Sequence, residues 1–384
     1  DSDSPRSVVI GKMVADGRTV SADLGQGNIF SIFGAQGSGV GYSAGAIVEA
    51  ALCGPSRVNS LSSPLAGVVF HFSDDLEVGP RFASMARPND VPSQLSRLKA
   101  EYGAEPASLT DVLLLTPSDM VDDRRAEYPD VDVKPLALGS KEMSVNDWML
   151  ILGAKDGNAD MAKEVKLVLK KCRGNISLGA ISDCIEASSM PDDVKDISLQ
   201  RLADFEAYIS DSDSVGGLLK PGRLIIVDLR DEFMDEDEAM CLFLSMMDVF
   251  AAVKDDDGSP LGKLMVFDEA HKLLRKDGIV GAAASAFGDV RRKGVSVVLA
   301  SHDPAAMPLP LVELSSVVML HRFSSPAWIA HLQKAITALH ALSPSDMDAL
   351  ATGEAFVWAS RSSDVALSSR PAKVTVRPRL SKHV

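Results

Sequence analysis

The sequence is short of positive charge, of paired cysteines and of long apolar runs. Of 384 residues, 39 are Lys or Arg against 53 Asp or Glu, a formal net charge of −14. That balance excludes an evenly basic nucleic-acid coat but leaves room for DNA held on a local basic face. The local candidates are "KKCR" at 170–173, "RRK" at 291–293 and "RPAKVTVRPRLSKHV" from Arg370, although the favoured reading of each is a solvated surface run. The cysteines at 53, 172, 184 and 241 form no C-x-x-C pair, so reduced thiols of a cytoplasmic protein are expected rather than a metal site or disulfide framework. No apolar run approaches the roughly 20 residues of a membrane span. The opening "DSDSPRSVVIGK" lacks the basic flank and apolar stretch of a leader, so no membrane partner is expected. There is no internal repeat and no low-complexity linker. Trp148, Trp328 and Trp358 lie too far apart in sequence to read as a base-stacking row and are read as core or interface anchors.

What is present suits a large α/β protein, one domain with an insertion or two domains. Hydrophobic residues make up 46% and charged residues 24%, ordinary for a globular chain. "SVVIGKMVADGRTVSADL" alternates about a Gly-containing turn and predicts a β-hairpin. "NIFSIFG", "LAGVVFHFS", "DVLLLTP", "VDVKPLALG", "GRLIIVDLRD", "KLMVFDEA", "GVSVVLASHDP" and "SSVVMLHRF" read as strands, most of them buried. From Lys141 to Leu219 the texture turns helical. The expected organisation is therefore 1–140, 141–219 as a helical insertion, and 220–384 ending in a β-hairpin. Strands alternating with helices imply a mostly parallel sheet covered on both faces.

Two stretches carry chemistry. In "IFGAQGSGVGYSAG", Ile32–Gly45, a buried strand runs through Gly34, Ala35, Gln36, Gly37, Ser38 and Gly39 into a helix. The glycine spacing is that of a phosphate-binding loop, which presents backbone N–H groups to an anion at a helix N-terminus. Lys and then Ser or Thr should follow, but Val40 and Gly41 stand there, ahead of Tyr42. A frame shifted by two residues restores Ser43 but places Tyr42 for the Lys and Gln36 for the first Gly. In "LMVFDEAH" an apolar strand ends in Asp268 and Glu269, the position of an acid that holds Mg²⁺ and of a second that polarises water. The bland alternative is two acids capping a helix.

Taken in order, "IFGAQGSG…YSAGAIVEAAL", "GRLIIVDLRD", "LMVFDEAHKLL", "RRKGVSVVLASHDPAAMP", "SSVVMLHRF" and "TGEAFVW" resemble the HerA/FtsK branch of P-loop motors from Val8 to Pro378. The resemblance implies an additional-strand, RecA-like P-loop NTPase fold with a C-terminal β-hairpin. It implies a hexameric ring with ATP and Mg²⁺ bound between subunits, translocating DNA or polypeptide, often beside a nuclease or another defence effector. It assigns nucleotide contacts to residues 34–42 and His302, metal to Asp268, and catalysis to Asp268 and Glu269. Arg292 (with Arg291) and Arg322 are the arginine-finger candidates.

The chain departs from that pattern at Val40, at Gly41, at His302 where a Gln is usual, and in having little of the N-terminal β-barrel of HerA proteins. Losing one charge-assisted contact in a partly dry site costs about 1.5–3 kcal/mol. Three readings follow: an ATPase that still binds nucleotide, with a cation supplied from elsewhere; a catalytically silent ring or scaffold subunit; or an α/β binding protein. Asp228 and Arg230 at a strand end suggest an interface or ligand role. Glu49 is expected at the surface or an interface, and His271 is read as structural.

Overall fold

The computed structural model describes residues 6–154, 159–174, 176–255, 257–274 and 277–383. Among the described residues fourteen strands are formed: β1 Ser7–Met13, β2 Thr19–Asp23, β3 Ile29–Phe33, β4 Ala66–Ser73, β5 Val112–Thr116, β6 Asp132–Pro135, β7 Leu138–Gly139, β8 Ile209–Ser210, β9 Leu224–Arg230, β10 Lys263–Phe267, β11 Ser296–Ser301, β12 Val317–Leu320, β13 Glu354–Ala359 and β14 Ala372–Val376. Twelve of them make one sheet in the order β2-β1-β14-β13-β12-β3-β11-β10-β4-β9-β5-β6. From β12 to β6 every pairing is parallel, and the hairpins β1–β2 and β13–β14 extend the sheet antiparallel past β12.

The burial pattern explains this order. β3, β4, β5, β9, β10 and β11 are buried at every position, as strands covered on both faces must be. β2, at the edge, alternates exposed and buried residues. On one face Ile47, Val48 and Leu52 of the helix Val40–Leu52 pack on Val69, Ile226, Val266 and Val298. On the other, Phe70 and Phe267 of adjacent strands meet Phe243 and Phe287 from the helices Glu236–Ala252 and Asp277–Arg292, with ring centroids 4.8 to 6.5 Å apart. The helix Glu236–Ala252 starts in a capping box, with Asp235 and Glu238 satisfying each other's backbone N–H.

Between β7 and β8 the chain makes the helices Val145–Ile151, Ala159–Lys171, Leu178–Glu186 and Asp192–Asp204. Parallel pairing of Leu138 with Ile209 closes the base of this excursion. Its apolar faces join the second core, in which Trp148 is fully buried. Cys172 and Cys184 lie against each other with Cα atoms 6.7 Å apart, and Cys53 and Cys241 form no disulfide. No described helix is long and apolar enough to cross a membrane.

Candidate nucleotide site

Because β12, β3, β11, β10, β4 and β9 run parallel, their C-terminal ends meet along one edge, the side on which open α/β sheets hold ligands. At this edge the chain leaves β3, turns through residues 34–39 and enters the helix at Val40. Gly37 and Gly39 adopt φ of 74° and 117°, backbone that a side chain would strain. A Cβ on Gly34 would stand 2.4 Å from Ser38 Oγ and 2.7 Å from His321 Cβ. The loop shape therefore survives although two of its usual side chains are absent. No side chain caps the helix, so its first amides point into the site without an intrahelical partner. Ser38 Oγ is buried and has no hydrogen-bond partner among the described residues.

His321, at the end of β12, braces the loop from the side. Its backbone N–H donates to Phe33 at 2.7 Å, and a Cβ on Gly39 would lie 3.3 Å from its ring. Burial pushes its imidazole down to about 4, so the ring is neutral near pH 7. The neutral tautomer that fits donates Nδ1–H to the Glu354 carbonyl at 3.0 Å and accepts from Ser43 Oγ at 2.8 Å. Ser43 is thus committed to His321, which removes the frame-shifted reading of the loop. Tyr42 is turned away too. Its hydroxyl donates to Gln94 Oε1 at 3.0 Å and accepts the Arg379 N–H at 2.9 Å, leaving only its backbone at the loop.

Across the loop lies the tip of β10. Asp268 is 3% exposed, and burial pushes its carboxyl up, against the nearby His71 ring 3.9 Å away. Glu269 has φ 53°, making it the only non-glycine at positive φ among the described residues. Such a conformation costs on the order of 1 kcal/mol or more and clusters at functional sites. It brings Glu269 Oε1 to 3.6 Å from His302 Nε2 and 3.6 Å from Arg81 Nη2. His302, following β11, also places Nδ1 3.3 Å from the Gly34 carbonyl, so it touches loop and acid together. Asp268, Glu269, His302 and residues 34–41 are therefore brought to one place. His271, half-buried in the short helix Ala270–Leu273, lies 3.7 Å from Glu269 Oε2.

The arginine candidates fall elsewhere within the chain. Arg291 and Arg292 end their helix ahead of β11, at the opposite edge of the sheet, and Arg292 pairs with Asp289. Arg322 accepts the Ala35 N–H on its carbonyl, but its side chain is 59% exposed and reaches toward Asp348 at 4.0 Å. Asp228 and Arg230 do not open onto the site. Arg230 donates to both Asp228 oxygens at 3.0 Å and to both Glu127 oxygens at 3.0 Å. Burial works against its charge, and those carboxylates outweigh it, holding the guanidinium well above its usual value.

Glu49 is a further correction: it is 1% exposed, on the buried side of the loop helix. It accepts from Arg377 Nη1 at 2.6 Å, from the Leu380 and Ser381 N–H groups at 2.7 and 2.9 Å, and from Ser381 Oγ at 2.6 Å. Arg377 and Arg379, read as part of a basic surface run, are buried beneath this helix. Sequence reasoning also missed Arg81, His321 and His71. For Arg81 a signal existed, since it follows a buried strand at the ligand edge. For His321 there was none, because its role depends on β12 lying beside β3.

A triphosphate fits the shape and free amides of the loop. For Mg²⁺, Asp268 and Glu269 remain, without the usual loop hydroxyl. Among the described residues no group of three His, Cys, Asp or Glu side chains would hold a metal by itself. Neither a family model nor a curated protein matches the chain. Solved structures do. VirB4 of Thermoanaerobacter pseudethanolicus matches over 97% of this chain and 96% of its own, at 11% identity and TM-score 0.52. The plasmid coupling protein TrwB in complex with ADP and Mg²⁺ matches over 99% and 95%, at 13% identity and TM-score 0.55. TrwB in complex with the GTP analogue GDPNP matches over 100% and 92%, at 12% identity and TM-score 0.56. This chain has the fold of those proteins, the RecA-like P-loop architecture that its motifs suggested.

Proposed function

We propose that the protein is a nucleotide-binding subunit of a HerA/FtsK-type ring motor acting on DNA. ATP sits on residues 34–41 at the helix N-terminus, Asp268 holds Mg²⁺ through water, and Glu269 takes the proton of the attacking water. The observation that carries this reading is Glu269 itself, held in a left-handed conformation beside His302 and the loop. A scaffold has no chemical need for that strain. The subunits form a homo-oligomeric ring, a hexamer by analogy, with nucleotide between neighbours, where Arg322 or Arg292 reaches across from the adjoining copy. A nuclease or effector partner fits the same analogy. The structural neighbours include a conjugative coupling protein, which supports a DNA substrate.

The second reading, a catalytically silent subunit, is favoured by Val40, Gly41 and His302. Calorimetry with ATP and Mg²⁺ decides between them. Micromolar binding by the unaltered chain is expected. Binding that appears only after Val40→Lys with Gly41→Ser would establish the silent subunit instead.

A further inference from the structure

The loop lacks its lysine, yet a cation stands beside it. Arg81 opens the short helical turn Arg81–Ala86 that follows β4, with Phe82 and Met85 anchoring the turn in the core. Its carbonyl is fixed by Ser84 Oγ at 2.8 Å. The side chain runs along the ligand edge to the first turn of the loop helix, where Nη1 lies 3.4 Å from the place a Cβ on Gly41 would take. A methyl at residue 41 would sit in ordinary van der Waals contact with the guanidinium, so Arg81 lies beside the place of the missing loop hydroxyl.

Three other arginines near this edge are committed. Arg230 and Arg377 are locked onto carboxylates at 2.6 to 3.0 Å, and Arg379 lies under the helix, bonded to Ser381. Among the described residues Arg81 has only long side-chain polar contacts, 3.6 Å to Glu269 and 3.5 Å to His302 Nε2, which are beyond good hydrogen-bond length. It is 31% exposed at the side chain, on the face where Asp268, Glu269 and a bound phosphate chain would bring negative charge together.

We propose that Arg81 supplies, within the same subunit, the phosphate cation that Val40 cannot, its guanidinium swinging from Glu269 onto the terminal phosphates of a nucleoside triphosphate. A planar fork of N–H donors suits two phosphate oxygens at once and reaches from outside the loop, where a lysine reaches from within it. This deepens the nucleotide-binding reading and rests on it.

The test is calorimetry with adenylyl imidodiphosphate and with ADP, in Mg²⁺ and again in EDTA, on the unaltered chain, Arg81→Ala, Arg81→Gln and Arg81→Lys. Removing a charge-assisted contact should weaken the triphosphate analogue by about tenfold or more. ADP should change less, and Arg81→Lys should recover part of the loss. Arg81→Gln keeps a polar, partly space-filling side chain without the charge and replaces Arg81→Ala if that variant melts early. Analogue binding that is equal in the unaltered chain and the neutral variants overturns the role of Arg81 and leaves the nucleotide site standing. Absence of binding by the unaltered chain overturns both.

Discussion

Glu49 shows how much one buried carboxylate decides. Burial alone would raise its pKa, but Arg377 and Arg379 overcome that and hold it below its ordinary value of 4.5. A carboxylate depressed on folding stabilises the protein fully above its unfolded pKa and loses that contribution as pH falls from there through its lower folded pKa. His321 works in the same direction from higher pH. Its imidazole is pushed from 6.5 to about 4 by burial, so the unfolded chain takes up a proton first as pH falls below 6.5. His383, pushed to about 4 by burial and by Arg379 and Arg81, adds to this. The unfolding midpoint should therefore fall in two stages, first between pH 6.5 and 4 and then more steeply below about 4.5. Glu49→Gln should cost about 3 kcal/mol or more at pH 7 by stranding two arginines, and should flatten the acid stage. Thermal melts across pH read both; an unchanged acid limb would contradict this account of Glu49.

At the scale of elements, the loop helix is held by what passes beneath it. Gly45 faces Arg379, and a Cβ there would come within 2.5 Å of Arg379 Nη1. That guanidinium is pinned by Ser381 and His383 at 2.8 and 3.1 Å. Replacing Gly by Ala inside a helix ordinarily gains about 1 kcal/mol. Here the forced shift of a buried ion network should outweigh it, so Gly45→Ala is expected to lower the melting temperature; a higher one would show that Arg379 moves freely. The same elements mark what the sequence could reveal. β3, its glycine loop and the tip of β10 were legible because each is a local pattern: apolar run, turn residues, acid. Glu49 was misread because its partners lie more than 300 residues along the chain. Arg230 was misread because a strand end at the ligand edge is closed by Glu127 from another element. Local periodicity states which face of a helix is apolar, and it is silent on which distant arginine meets a polar group there.

For the molecule as a whole, an acidic chain that works on DNA must gather its basic residues. Of the three basic stretches, the segment from Arg370 is largely spent on internal pairing. The helix Ala159–Lys171 keeps Lys163, Lys166 and Lys170 exposed, with Arg173 just beyond it, around a groove that also contains Val145, Leu167 and Ile176. If DNA binds there, Lys166→Glu with Lys170→Glu should weaken binding and reduce the slope of log affinity against log salt by about 2. No DNA binding by the unaltered chain at low salt would count against a DNA motor altogether. Native mass spectrometry with the triphosphate analogue should show the closed ring, and a monomer under every condition would refute it. Pairing of β1 with β14, and of Glu49 with Arg377, has one further effect. During synthesis the phosphate loop leaves the ribosome early, but its helix carries an unneutralised carboxylate until residues 377–381 emerge. Nascent chains therefore cannot settle the loop helix on its buried ion pair until the last strand has been made.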